Sequence, residues 1–99
     1  MPAAELAREA SACVRSEKVP PHIRGIVLLV LAKYNRTEAR QYALDFLAND
    51  QPVMMKTSAL VVLGVAGYVE DRAVVKAYTD SPDVRLNEAS RAALQRLSR

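Results

Sequence analysis

Ninety-nine residues, 51% of them apolar and 25% charged, fit one globular domain and argue against a second core or a disordered chain. With no Trp and a single Cys, the core must be built from Ala, Leu, Val and Ile, and an internal disulfide is excluded. The net charge of +3 arises at one end: residues 1–83 carry ten Lys/Arg and ten Asp/Glu, whereas residues 84–99 carry Arg85, Arg91, Arg96 and Arg99 against Glu88 alone.

The opening Met-Pro-Ala-Ala-Glu lacks the basic start and apolar stretch of a secretory leader. A first helix is predicted from about Ala3 to Glu17, with Leu6, Ala10, Cys13 and Val14 on one face. Pro20 and Pro21 end the link to a second helix, because proline suits a first turn. There Ile23, Ile26, Val27, Val30, Leu31 and Tyr34 fall at helical spacing, and Leu28, Leu29 and Ala32 are apolar on the other side. A helix apolar on most of its circumference is expected to lie buried between neighbours.

Thr37 is the expected N-cap of a third helix, whose stripe is Ala39, Tyr42, Ala43, Phe46 and Leu47. Asn49-Asp50-Gln51-Pro52 reads as a turn. A fourth helix, about Val53 to Gly67, is again apolar nearly all round, with Leu60, Leu63 and Ala66 central. Its Gly64 and Gly67 admit a close neighbour or end the helix. The fifth helix is short, near Asp71 to Thr79, with Ala73, Val74, Ala77 and Tyr78 inward. The sixth follows the Asp80-Ser81-Pro82-Asp83 turn and runs to Leu97, turning Leu86, Ala89, Ala93 and Leu97 inward. No segment alternates as a strand would, so the fold class is all-α. The longest apolar runs, Ile26 to Ala32 and the glycine-interrupted Ala59 to Val69, are too short to cross a bilayer, and a cytoplasmic location is expected.

Pro21, Pro52 and Pro82 stand 31 and 30 residues apart, and each opens a long helix that follows a shorter one. A fixed period of this size signals a helical array in which each unit buries its face by stacking. Three hairpins are predicted, at about 3–34, 37–67 and 71–97, in one domain spanning residues 1–99. Outward Glu5, Arg8, Glu9 and Arg15 at one end and Arg and Gln at the other would cap such a stack, as in a complete small protein.

The stretch from Val62 to Val75, then Asp80-Ser-Pro-Asp-Val-Arg85 and Ala92 to Leu97, resembles the HEAT-repeat family, best over residues 53–97. The resemblance implies a short right-handed α-α superhelix of about six helices, with the second helix of each hairpin lining one face. It also implies a ladder between turn aspartates and Val-Arg arginines. Asp80 and Arg85 match those slots; Asp50 matches too, but Met55 stands where its arginine would be. A further analogy, to HEAT-like lyase subunits that attach bilins to phycobiliproteins, implies an accessory subunit of a larger enzyme complex, although no residue here points to tetrapyrrole chemistry.

The side chains argue against catalysis, and no cofactor or metal is expected. His22, the only histidine, has no recognisable nucleophile or orienting acid beside it in sequence. Cys13 lies on an inward stripe, where a thiol acts as a small hydrophobe. Glu70-Asp71 and Asp80/Asp83 sit at turns or helix starts, where negative charge suits the helix dipole. No phosphate loop, dinucleotide fingerprint or nucleophile elbow occurs.

What remains is a surface. Of Met54 and Met55, pointing about 100° apart on one helix, one is expected in the core and the other at the surface. Arg24, Lys33, Lys56, Arg85, Arg91 and Arg96 all lie on second helices, where they would form a positive stripe. The expected function is a non-catalytic protein-binding scaffold whose partner face includes Arg24, Lys33, Met55, Lys56, Arg85, Glu88 and Arg91. Its partner would be another protein with an acidic surface, and the chain a monomer or homodimer. Nucleic-acid binding by the same stripe is the alternative, disfavoured because no aromatics interleave the basic residues.

Overall fold

The computed structural model describes residues 3–97, and among these every regular element is helical. Six α-helices follow one another: α1 Ala3–Arg15, α2 Pro21–Tyr34, α3 Arg36–Ala48, α4 Val53–Ala66, α5 Arg72–Lys76 and α6 Val84–Leu97. A 3-10 turn, Val69–Asp71, leads into α5. No helix among the described residues is long and apolar enough to cross a membrane.

Local chemistry sets most of the boundaries. Pro21 occupies the first turn of α2, where its missing N–H leaves no bond unmade. A single residue, Asn35, then separates α2 from α3. Its N–H bonds to the Leu31 carbonyl at 2.8 Å, closing α2, while its Oδ1 accepts the Glu38 N–H at 3.1 Å, opening α3. The cap is therefore Asn35 and not Thr37, because so short a link leaves the helix no room to begin later. Gly67 closes α4, its N–H bonding to Leu63 O at 2.9 Å. At α6 it is Asp83 that caps, Oδ1 accepting from the N–H groups of Arg85 and Leu86 at 2.9 and 3.4 Å.

The fifth helix differs most from expectation. Its α-helical part is only five residues, and its inward side chains are Asp71, Val75 and, in part, Tyr78, as expected for the last; Ala73, Val74 and Ala77 are exposed. Asp71 is the reason. Its carboxylate receives Arg40 Nε at 2.8 Å, Arg40 Nη2 at 2.7 Å and the Tyr68 N–H at 2.8 Å, so the turn is wound around the aspartate and the helix phase shifts with it.

Each odd-numbered helix packs on the one that follows it, and α2, α4 and α6 pack side by side in that order. The α1–α2 pair is antiparallel: Arg24, in the first turn of α2, donates Nε to Val14 O near the end of α1 at 2.8 Å. The first helices are also joined in sequence. Ser11 and Tyr42 hydroxyls lie 2.9 Å apart between α1 and α3, and Tyr78 OH donates to Leu47 O at 3.2 Å beyond them. The helices thus form two rows, and the shortest dimension, 17 Å, is that of two helices in contact.

Between the rows lies a core of Val14, Leu28, Leu31, Met55, Leu60, Val62, Leu63 and Val75, all fully buried, with Phe46, Ala39, Ala43, Ala59 and Ala93 filling between them. Small residues let the even-numbered helices approach. A Cβ on Gly25 would stand 2.7 Å from Ser58 Oγ, and one on Gly64 would stand 3.1 Å from Ala93 Cα. The 31-residue period has a direct counterpart in bonding. Ser11–Tyr42, Arg24–Met55, Arg40–Asp71 and Leu47–Tyr78 are all side-chain links between residues 31 apart.

Candidate functional site

Helix α2 is covered by α1, α3 and α4, and no other helix packs closely on its remaining side among the described residues. Gly25, Leu28, Leu31 and Ala32 face the core. Ile23, Ile26, Val30 and Tyr34, expected to lie between neighbours, form an outward stripe instead, with Ile26 56% exposed. The helix is apolar all round, yet only part of that surface is used internally.

The same outward positions recur 31 residues later on α4. Ile23, Val30 and Tyr34 correspond to Met54, Val61 and Val65, all exposed. On α6 the equivalents are Arg85, Ala92 and Arg96, so the face changes from apolar to polar from α2 to α6. Seven large apolar side chains on two adjacent helices exceed the scattered surface hydrophobes of an ordinary monomer.

Two recesses are cut into this face, and Val65 borders both. One, about 330 Å³, lies between α2 and α4 and is lined by Leu29, Ala32, Lys33, Arg36, Val62 and Val65. The other, about 170 Å³, lies between α4 and α6, with Val61, Gly64, Val65, Ala92 and Arg96 among its walls. Neither contains an Asp or Glu. Lys33, Arg36 and Arg96 make no ion pair or side-chain hydrogen bond among the described residues, and all three are exposed.

The remaining basic residues of the expected stripe are elsewhere. Arg24 is tied to Val14 O, lies 5.5 Å from the Phe46 ring centre and 3.9 Å from Met55 Sδ, so it braces α1 against α2 and α4. Lys56 is half-buried with Nζ 5.8 Å from the centre of the Tyr78 ring. Arg91 donates Nε to Thr79 O at 3.1 Å and to Asn87 Oδ1 at 2.9 Å, fastening the loop before α6. Arg85 folds onto Asp83, Nη2 to Oδ2 at 3.3 Å, and holds that carboxyl below the usual carboxylate range. Arg85 is thus paired within its own turn and not across to another repeat, and Asp80 stands 3.8 Å from Arg91. Glu88 is exposed on α6.

Met55 is removed from the surface altogether. It is fully buried, and Met54 is the outward methionine at 49% exposure. Met55 is the residue that α4 turns toward Arg24, whereas Met54 occupies the slot of Ile23. Sequence reasoning missed Arg36, because it opens α3 and not a second helix, and missed Val61 and Val65, because a helix apolar nearly all round does not show which side stays uncovered. The 31-residue register aligns them with Val30 and Tyr34, themselves expected between neighbours, so register alone does not expose them.

A further recess, about 690 Å³, lies among α1, the start of α3 and the end of α2, bordered by Arg8, Ser11, Arg15, Tyr34 and Glu38. Its Ser11, Asn35 and Glu38 side chains are occupied with one another, whereas Arg8 makes no ion pair or side-chain hydrogen bond among the described residues. Glu38 accepts from Ser11 Oγ, from Tyr42 OH at 3.1 Å and from Asn35 Nδ2 at 3.1 Å, joining α1 to α3. His22 is exposed at the start of α2, and Cys13 is half-buried. No group of three or more His, Cys, Asp or Glu among the described residues is placed to hold a metal ion.

Comparison with family models, with curated proteins and with solved structures finds no match to this chain.

Proposed function

We propose that this chain is a non-catalytic protein-interaction module: three HEAT-like hairpins in a right-handed stack that bind a partner across the row formed by α2, α4 and α6. The observation that carries the reading is the outward apolar stripe, repeated at equivalent positions of α2 and α4 while α4 is packed against helices on its other sides. Keeping Ile26, Val30, Val61 and Val65 in water forgoes on the order of 25 cal/mol for each Å² of apolar surface that a partner would cover. The 31-residue links between hairpins support the repeat reading, since equivalent residues of neighbouring units touch.

The experiment is site-specific photo-crosslinking in the host cell. A photoreactive residue at position 30, 61 or 65 should yield one discrete adduct, and the same residue at Gln41 or Arg72, exposed away from the stripe, should yield none. Adducts of equal strength from all five positions, or from none, would refute the face. Arg85→Glu and Arg91→Glu, whose side chains serve local turns, are expected to leave the adduct intact.

A further inference from the structure

The charged side chains that line the α2–α4 groove and the adjoining α4–α6 recess are all basic, and this narrows what can lie there. Lys33 and Arg36 stand at one wall of the first recess and Arg96 at the far wall of the second, around exposed Val65. None has a carboxylate to pair with among the described residues, and no Asp or Glu enters either recess. Lys33 and Arg96 lie in the last turns of α2 and α6, where the helix dipole favours a cation, but a dipole leaves their outer hydrogen-bonding positions open to a partner. A second copy of this chain, set on the groove in the same register, would bring like charges together.

Backbone chemistry narrows it further. The N–H and C=O groups in the middle of α2 and α4 are spent inside their own helices, so the groove presents side chains only. An extended peptide laid there would lose water from its backbone and find no bonding partner, which disfavours it at each buried group. A helix brings its own backbone bonds and can seat one apolar face in the groove.

Resting on the interaction reading above, we infer that the groove between α2 and α4 takes an amphipathic helix with apolar residues on one face and carboxylates gathered toward the end that lies beside Lys33, Arg36 and Arg96. Its length is set by the 14-residue helices of the groove, roughly 20 Å at 1.5 Å per residue.

The test is selection of helical peptides of about 16 residues, randomised at every position and displayed on yeast, against the whole purified chain. The enriched set should be net acidic, with apolar residues at helical spacing and Asp or Glu concentrated near one end. Binding of an enriched peptide, read by fluorescence anisotropy, should fall about tenfold or more with Lys33→Glu/Arg96→Glu and be lost with Val65→Asp, while circular dichroism stays unchanged. Both replacements are at exposed positions, and either alone suffices if the other disturbs the fold. Neutral or basic winners that still depend on Val65 would overturn the acidic-helix inference and leave the interaction face standing. Winners indifferent to Val65, or no enrichment at all, would overturn both. A dimer in light scattering that Val65→Asp dissociates would make a second copy the occupant and end this inference, as would winners without helical spacing of their apolar residues.

Discussion

At the scale of single residues, Asp71 does more than any other polar side chain. It is 3% exposed, joins α3 to the turn before α5, and keeps its charge because Arg40 donates two hydrogen bonds and the Tyr68 N–H a third. These partners outweigh the cost of burial and hold its carboxyl below the usual range, while the Arg40 guanidinium, 4.5 Å from the Tyr68 ring centre, is held above its own. A carboxyl whose folded pKa is depressed stabilises the fold above its unfolded pKa, about 3.9, and that contribution is lost as pH falls through and below this value. Asp71→Asn is therefore expected to lower stability by about 1.5–3 kcal/mol at neutral pH, the range for charge-assisted hydrogen bonds, and to flatten the acid limb of a plot of urea midpoint against pH. A variant as acid-sensitive as the parent would show that other carboxylates govern the acid limb. The pairing partner was invisible in the sequence: Arg40 and Asp71 are 31 residues apart, and Asp71 alone reads as a negative charge at a helix start. Met54 and Met55 show the same limit: adjacency told that one faced out, but the expected partner face took Met55, which is buried, and the outward methionine is Met54.

Elements were easier to read than residues, and their errors have physical causes. All six helices were legible from apolar spacing, proline and turn residues, and Gly64 and Gly67 did prove to be a close approach and a helix end. The fifth helix came out short because a buried ion pair overrode apolar spacing, and the outward side of α2 was taken as core because periodicity cannot distinguish an uncovered apolar face from a covered one. The three glycines give a graded test. At Gly25 a methyl meets the movable hydroxyl of Ser58, and the gain of about 1 kcal/mol in helix propensity makes Gly25→Ala close to neutral. At Gly64 the obstacle is the Ala93 backbone, so that gain is offset and α6 must shift by a few tenths of an ångström. At Gly67 the methyl would stand 2.9 Å from Asp71 Oδ2 as well as against the Leu63 carbonyl, and Gly67→Ala is expected to cost about 1–3 kcal/mol. Urea denaturation of the three variants should rank them in this order, and a Gly25→Ala protein less stable than Gly67→Ala would contradict the packing described.

For the whole molecule, α4 is the shared element: it packs on α2, α3 and α6, and carries Met55, Leu60, Val62 and Leu63 with no exposed surface. Leu60→Ala should therefore cost about 2–5 kcal/mol and lower the melting of the entire chain as one transition, with helix signal and tyrosine fluorescence falling together. Two separate transitions would mean that the hairpins unfold independently. The all-helical class and the near-31-residue period could be read at this scale because spacing and composition carry them directly. The surface could not, because six basic residues on even-numbered helices point in several directions once each helix has its rotation, and Arg24, Lys56, Arg85 and Arg91 found partners within the chain.

The bonds between equivalent residues also determine how the protein would carry a load. Each of the four 31-residue links joins hairpins that follow one another in sequence. Tension applied at the two ends of the chain would thus act on one seam at a time, peeling the α1–α2 pair or the α5–α6 pair away from α4 before the middle gives way. In a single-molecule pulling experiment such a chain extends in steps at modest force, as a spring of coupled leaves would, and a partner helix lying across α2 and α4 would act as a splint over one of those seams.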